Sequence, residues 1–395
     1  MQRAQSGTRT HTPSRAKDFE SSASAIPPSG LRLYATSNRK VVDVHLDVYQ
    51  RTNSLASPLQ ASHQRHASRT HLYVRFFHDG TTGWGEVSPQ PSALNGDASF
   101  DEVRSELLHQ LIPLVHSVIR NEGNVPHWSR IARFTNAFAA SRMATTLVEM
   151  ALLDWWLRRD EESIVTLWPP VFDTPALQTM SALEGRPLLD DSPSHIRLKV
   201  DARPLSDHMV KSLALAGDVL LDYNCCSPSR DEIAHHLAQL AVVTRVRAIE
   251  QPFEAGNVVD HALLRAAIDA PVSIDEGVRN RRDIDQIVQY GAADIICIKA
   301  ARVGGYSVAR TMFDYATGKG LRPYLGGFFE SPLARGANRA LAQHLVREPS
   351  DVAPPTLLNP GQWVSDDLGF GLTPGDELLS TFEPLLHVDF AVGSH

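Results

Sequence analysis

Apolar and polar positions alternate where the interpretable chain begins. Val42, Val44, Leu46 and Val48 fall at every second position, and Leu72-Tyr73-Val74-Arg75-Phe76-Phe77 runs into the turn signal His78-Asp79-Gly80. These patterns predict an antiparallel meander. Between them the polar, proline-marked stretch 57–69 predicts a mobile loop. Beyond Glu86 the period becomes helical over 100–118 and 142–157, the second stretch carrying Leu147, Met150, Ala151 and Asp154 at helical spacing. Residues 40–170 read as an α+β cap.

Beyond residue 175 six short β-rich segments, 195–200, 219–222, 246–250, 272–275, 294–299 and 321–327, recur about every 25 residues with helical patterns between them. Strands alternating with helices imply right-handed βαβ units on a parallel sheet, and six or more such units suggest an α/β, TIM-like barrel over 171–361. A doubly wound open sheet would want a G-x-G-x-x-G loop, which is absent. The turn-rich stretch 366–371 opens a C-terminal segment, 362–395, expected to return to the cap.

Residues 1–39, rich in Ser, Thr, Arg and Pro, read as a disordered tail, with an organelle transit peptide as the alternative. Of the 395 residues 43% are hydrophobic and 21% charged, the balance of a globular protein. A net charge of −7 argues against nucleic acid or a membrane surface as partner and leaves small-molecule chemistry. Three cysteines, Cys225, Cys226 and Cys297, are too few for a disulfide framework and point to the reducing cytoplasm. Cys297 is expected to pack inside the barrel, and His235-His236 to lie on the surface of a helix.

The chemistry sits at the strand ends. Three consecutive units end with Asp222, Glu250 and Asp275, which a parallel barrel brings to one face. Three converging carboxylates repel unless a divalent cation with oxygen preference joins them, and Mg²⁺ suits such a site. The neighbouring strands end in Lys199 and Lys299, and strand period places Arg197 on the same face as Lys199. An amine between a metal and Arg197 would have its pKa drawn down toward that of a general base.

In order, these residues resemble the enolase superfamily and, within it, the muconate lactonizing subgroup. Lys199, Asp222 with Asn224, Glu250-Gln251-Pro252, Asp275-Glu276 and Lys299 are similar to its Lys-x-Lys, Asp-x-Asn, Glu-Gln-Pro, Asp-Glu and final Lys. Gly83-Trp84-Gly85-Glu86 resembles a turn of its cap. The segment Gly326-Gly327-Phe328-Phe329-Glu330-Ser331 is similar to one in o-succinylbenzoate synthases and N-succinylamino acid racemases. Arg197 departs from the pattern, standing where the subgroup usually has its first lysine.

The resemblance implies a modified (β/α)7β barrel under a cap built from both ends of the chain. It implies a Mg²⁺ enzyme, with Mn²⁺ as a substitute, whose lysines remove the proton α to a small-molecule carboxylate through a metal-stabilised enediolate. Metal ligands would be Asp222, Glu250 and Asp275, and catalytic groups Lys199 and Lys299. Arg197, Asn224, Glu276, Gly326, Gly327, Glu330 and Ser331 would support them or the substrate. Arg65 and Arg69, in the stretch that closes over substrate in this family, would meet a second substrate carboxylate. Dehydration, racemisation of an acylated amino acid, dipeptide epimerisation and muconate-type cycloisomerisation all remain open, as does a homo-oligomer. A non-catalytic barrel that binds a ligand is the reading from another class.

Overall fold

The computed structural model describes residues 41–393 apart from 62–63, 123, 139, 183–193 and 353–361; for 41–43, 55–66, 138 and 391–393 it describes the backbone alone. The expected N-terminal tail lies outside the described residues.

Three strands open the fold: β1 (Val41–Ala61), β2 (Gln64–His78) and β3 (Thr81–Val87). Asp79 and Gly80, both at positive φ (51° and 77°), make the two-residue turn that joins β2 to β3. Residues 57–61 and 64–69 are strand, not loop. Antiparallel pairing of β1 with β2 resumes past an irregularity at Leu59↔His66 and runs to Ala61↔Gln64. Main-chain pairing needs no apolar face, so a polar composition concealed a strand extension.

Seven parallel strands follow: β4 (Gln178–Ser181), β5 (His195–Lys199), β6 (Asp218–Asp222), β7 (Arg245–Glu250), β8 (Val272–Ile274), β9 (Ile295–Ile298) and β10 (Arg322–Leu325). They lie side by side in chain order, giving a curled α/β sheet. Residues 350–351 bridge its two edges. Ser350 exchanges main-chain hydrogen bonds with Pro175 and Leu177 beside β4, and Asp351 N donates to Leu325 O of β10, each at 2.9 Å. Inside, Leu177, Leu220, Ala248, Ile295, Cys297 and Tyr324 form a fully buried plug, so Cys297 is a packing residue.

After β11 (Trp363–Ser365) and β12 (Leu372–Pro374), β13 (Glu383–Gly393) pairs with the free edge of β1, making the cap sheet β13-β1-β2-β3. The helix Arg142–Arg159 is buried nearly all round, packed between this sheet and the barrel helices. Gly83 and Gly85 let β3 lie against it: a Cβ on Gly83 would sit 2.4 Å from Ala151 O, and one on Gly85 2.3 Å from Leu147 O. His235 is exposed, but His236 is not a surface residue. Its ring lies on the inner face of its helix with Ile233 and Leu240, bonded to the Tyr223 hydroxyl and to Arg203 O, each at 2.7 Å. No helix among the described residues is long and apolar enough to cross a membrane.

Candidate active site

Parallel register sets the level of the charged strand ends. Lys199 pairs with Asp222 and Asp222 with Glu250, while Asp275 and Lys299 each follow the last residue of their strands. The three acids are fully buried. Arg197 points in from β5 and lies among them: its Nε donates to Asp222 Oδ2 at 2.9 Å, and its Nη2 donates to Glu250 Oε1 and lies 3.5 Å from Asp275 Oδ2. Lys199 Nζ donates to Asp222 Oδ2 (3.0 Å) and Asn224 Oδ1 (2.8 Å). Lys299 Nζ donates to Asp275 Oδ2 at 2.8 Å and lies over the Phe328 ring. One amine therefore stands at each end of a row of three acids.

Burial and the like charges of Asp222 and Asp275 push Glu250 up to about 8, against the pull of Arg197. Asp275 goes the other way: burial disfavours its charge, but Lys299, Arg302 and Arg197 outweigh it and hold the carboxyl well below the usual range. The same contact acts on Lys299. Burial alone would lower it, yet Asp275 holds its ammonium above the usual lysine range. A carboxylate at 2.8 Å outweighs the neighbouring cations Arg302 and Arg197.

The loops after the strands brace this row. Gln251, at φ 38°, uses Oε1 to accept from Asp275 N (2.9 Å) and Gly277 N (3.3 Å), fixing the turn that carries Asp275. Asn224, at φ 44°, links Lys199 to Glu276, whose Oε1 accepts from Asn224 Nδ2 at 3.4 Å. Gly326 makes room for Lys299, since a Cβ there would meet its Cε at 2.8 Å. Gly327 lies under Glu330, whose carboxylate accepts from Phe328 N at 2.7 Å. Ser331 faces away from the acids: its hydroxyl donates to Glu86 Oε2 at 2.6 Å, and Ala334 N donates to the same oxygen at 3.0 Å. Glu86 of the cap thereby secures the first turn of the barrel helix Pro332–Leu345.

Arg69 is buried, not free. It donates to Ser88 Oγ (2.9 Å), Ser88 O (2.6 Å) and Gln90 Oε1 (2.6 Å), and burial lowers it to about 10. Gln90 and Phe329, which Arg69 holds and faces, line the cavity that Lys199, Lys299 and Arg197 also line. The side chain of Arg65 lies outside the described residues.

Sequence reasoning missed several neighbours. Arg302 donates to Asp275 Oδ1 at 2.6 Å and to Asp97 Oδ2 at 2.8 Å, joining barrel to cap. Tyr324 donates to Glu250 Oε2, and Asp351 lies 3.6 Å from Arg197 Nη1. Arg302, three residues beyond Lys299 on the short helix Ala300–Val303, was the one with a readable signal.

Three carboxylates whose oxygens lie within 3.5 Å of one nitrogen are a donor set fit for a hard divalent cation. Glu276 Oε2, buried beside them without a hydrogen-bond partner, adds an unused oxygen. That nitrogen is Arg197 Nη2, so a cation would need the guanidinium to withdraw.

Residues 198–355 match the enolase C-terminal domain-like family. An N-succinylamino acid racemase from Amycolatopsis sp is 29% identical over 348 residues, 82% of this chain and 93% of the racemase. This chain is similar to enolase-superfamily enzymes. Within that superfamily it is also 26% identical to the o-succinylbenzoate synthase of Bacillus subtilis (strain 168), over 75% of this chain and 81% of the synthase. The muconate lactonizing enzyme from Pseudomonas fluorescens shares the fold, with a TM-score of 0.74 at 20% identity over 87% of this chain and 99% of that one. Superfamily members typically use a divalent metal, and this chain is an enzyme whose relatives are named racemase, synthase and cycloisomerase.

Proposed function

We propose that this enolase-superfamily enzyme removes the proton α to the carboxylate of a small N-acylated amino acid and returns it, racemising the substrate with the help of Mg²⁺. One observation carries the reading: Lys199 and Lys299 line one cavity from opposite ends of the row Asp222, Glu250, Asp275. The racemase relative, matched along most of its length, supports the substrate class.

Asp222, Glu250 and Asp275 would hold Mg²⁺, or Mn²⁺ in its place, which supplies positive charge against the negative charge that develops on the substrate carboxylate. Lys199, steadied by Asn224, is the base toward one enantiomer. Lys299, whose proton Asp275 holds in place, is the acid on the other face. Arg197 offsets the acids' mutual repulsion when they hold no cation. In this reading segment 171–361 does the chemistry, while 40–170 with 362–395 selects the substrate through Gln90, which Arg69 fixes.

Incubation with Mg²⁺ and a panel of N-acyl amino acids and dipeptides in deuterated buffer, followed by NMR, tests this. Exchange of the α-hydrogen with loss of optical purity is the expected result. Water loss from an o-succinylbenzoate precursor without racemisation would move the enzyme to the synthases. Mg²⁺ binding with no exchange in any compound would leave a ligand-binding barrel.

A further inference from the structure

We infer that the cap sheet carries a second cation site, built from His45 and Asp47 of β1 and His387 and Asp389 of β13, and suited to Zn²⁺. The sheet register pairs His45 with Asp389 and Asp47 with His387. Because all four lie two residues apart on their strands, alternation puts them on one face. His45 Nδ1 bonds Asp389 Oδ1; His387 reaches Asp47 Oδ1 through Nδ1 (2.5 Å) and Asp389 Oδ1 through Nε2 (2.9 Å). The two imidazoles stack with centroids 5.7 Å apart and planes 22° from parallel. One ligand atom each from His45, His387 and Asp389 lie within 4.8 Å of one another.

Two imidazole nitrogens with carboxylates are the donors of a borderline transition ion, whereas Mg²⁺ prefers oxygen alone. Zinc bonds of about 2.0–2.2 Å would draw these atoms together, replacing protons that now sit between His and Asp. The needed movement is small rotations of His387 and Asp389, both exposed, against the mostly buried Asp47, which Arg75 steadies from β2 at 3.6 Å. The site lies outside the cavity of the proposed reaction and stands whether or not that reading does. Its physical effect is to tie β13 to β1, side chains 344 residues apart.

Tag-free full-length protein is titrated with Zn²⁺ in excess Mg²⁺, which keeps the barrel acids from being what is titrated. The expected result is a rise in Tm of at least about 3 °C at saturation, with one Zn²⁺ bound by calorimetry. His45→Ala/His387→Ala should abolish both, and Co²⁺ should show tetrahedral d–d absorption in the wild type alone. Should the double variant fold poorly, His387→Gln removes one exposed ligand and must weaken Zn²⁺ binding at least tenfold. Unchanged binding in these variants, or no Tm rise in the wild type, overturns the site.

Discussion

Buried acids serve two different purposes in this protein. In the cap and its seams they accept chiefly from main-chain N–H groups. Asp154 takes Trp84 N and Phe370 N, Glu106 takes Ala140 N and Ser141 N, Glu86 takes Ser331 N and Ala334 N, and Glu149 takes Ser307 N. At the barrel mouth Asp222, Glu250 and Asp275 are bonded mainly to the ends of long side chains, Arg197, Lys199, Lys299, Arg302 and Tyr324. A main-chain donor cannot leave without unfolding its segment, while a side-chain donor can rotate away. The first group of acids joins segments, and the second is held ready for exchange of partners.

The sharpest break between the groups is expected at the lysines. Lys199→Ala should lower α-hydrogen exchange of one substrate enantiomer by at least about 10²-fold, and Lys299→Ala that of the other, with Tm little changed. Wild-type exchange in Lys199→Ala would falsify the assigned base. Next in size is Asp222→Asn, expected to weaken Mg²⁺ binding by about 10–100-fold or more, read by calorimetry. Tight binding that survives replacement of Asp222, Glu250 and Asp275 together would remove these acids from the site.

Among the joining acids, Glu86→Gln should lower stability by about 2–4 kcal/mol, since Ser331 and Ala334 lose a charged acceptor and one carboxylate oxygen is replaced by an NH2 donor. Denaturant unfolding measures this, and α-exchange below the transition should persist. If exchange vanishes while the fold holds, Glu86 belongs with the exchangeable acids. Smallest is a pH effect. Burial pushes Glu149 up to about 7, above its unfolded value, so the folded state binds the extra proton. The stability linked to it is full below the unfolded pKa and is lost as pH rises through about 7. Glu149→Gln should therefore flatten the fall of Tm between pH about 5 and 8, and an unchanged slope would show that another group sets it.

The barrel was readable because β5 to β9 are short, largely buried runs that end in charge or lead straight into it. Gln178-Thr179-Met180-Ser181 of β4 carries no such run, so the first barrel strand was not predicted. The strand pairing over 57–61 and 64–69 was missed because the sequence there has no apolar alternation. Asp97 comes from a turn, where no period marks an inward side chain, whereas Arg302 lies one helical turn beyond Lys299. The state of Lys299 depended on which charge lies nearest, and distance across strands is not written along one.

The pairing of β1 with β13 also orders events in time. At ribosomal speeds of about 5–20 residues per second, β13 emerges roughly 20–70 s after β1. During that interval β2 can cover one edge of β1, while the other presents open main-chain groups between Val44, Leu46 and Val48. His45 and Asp47, interleaved with those apolar residues, are then gatekeepers that discourage a foreign strand from joining this edge in the nascent chain.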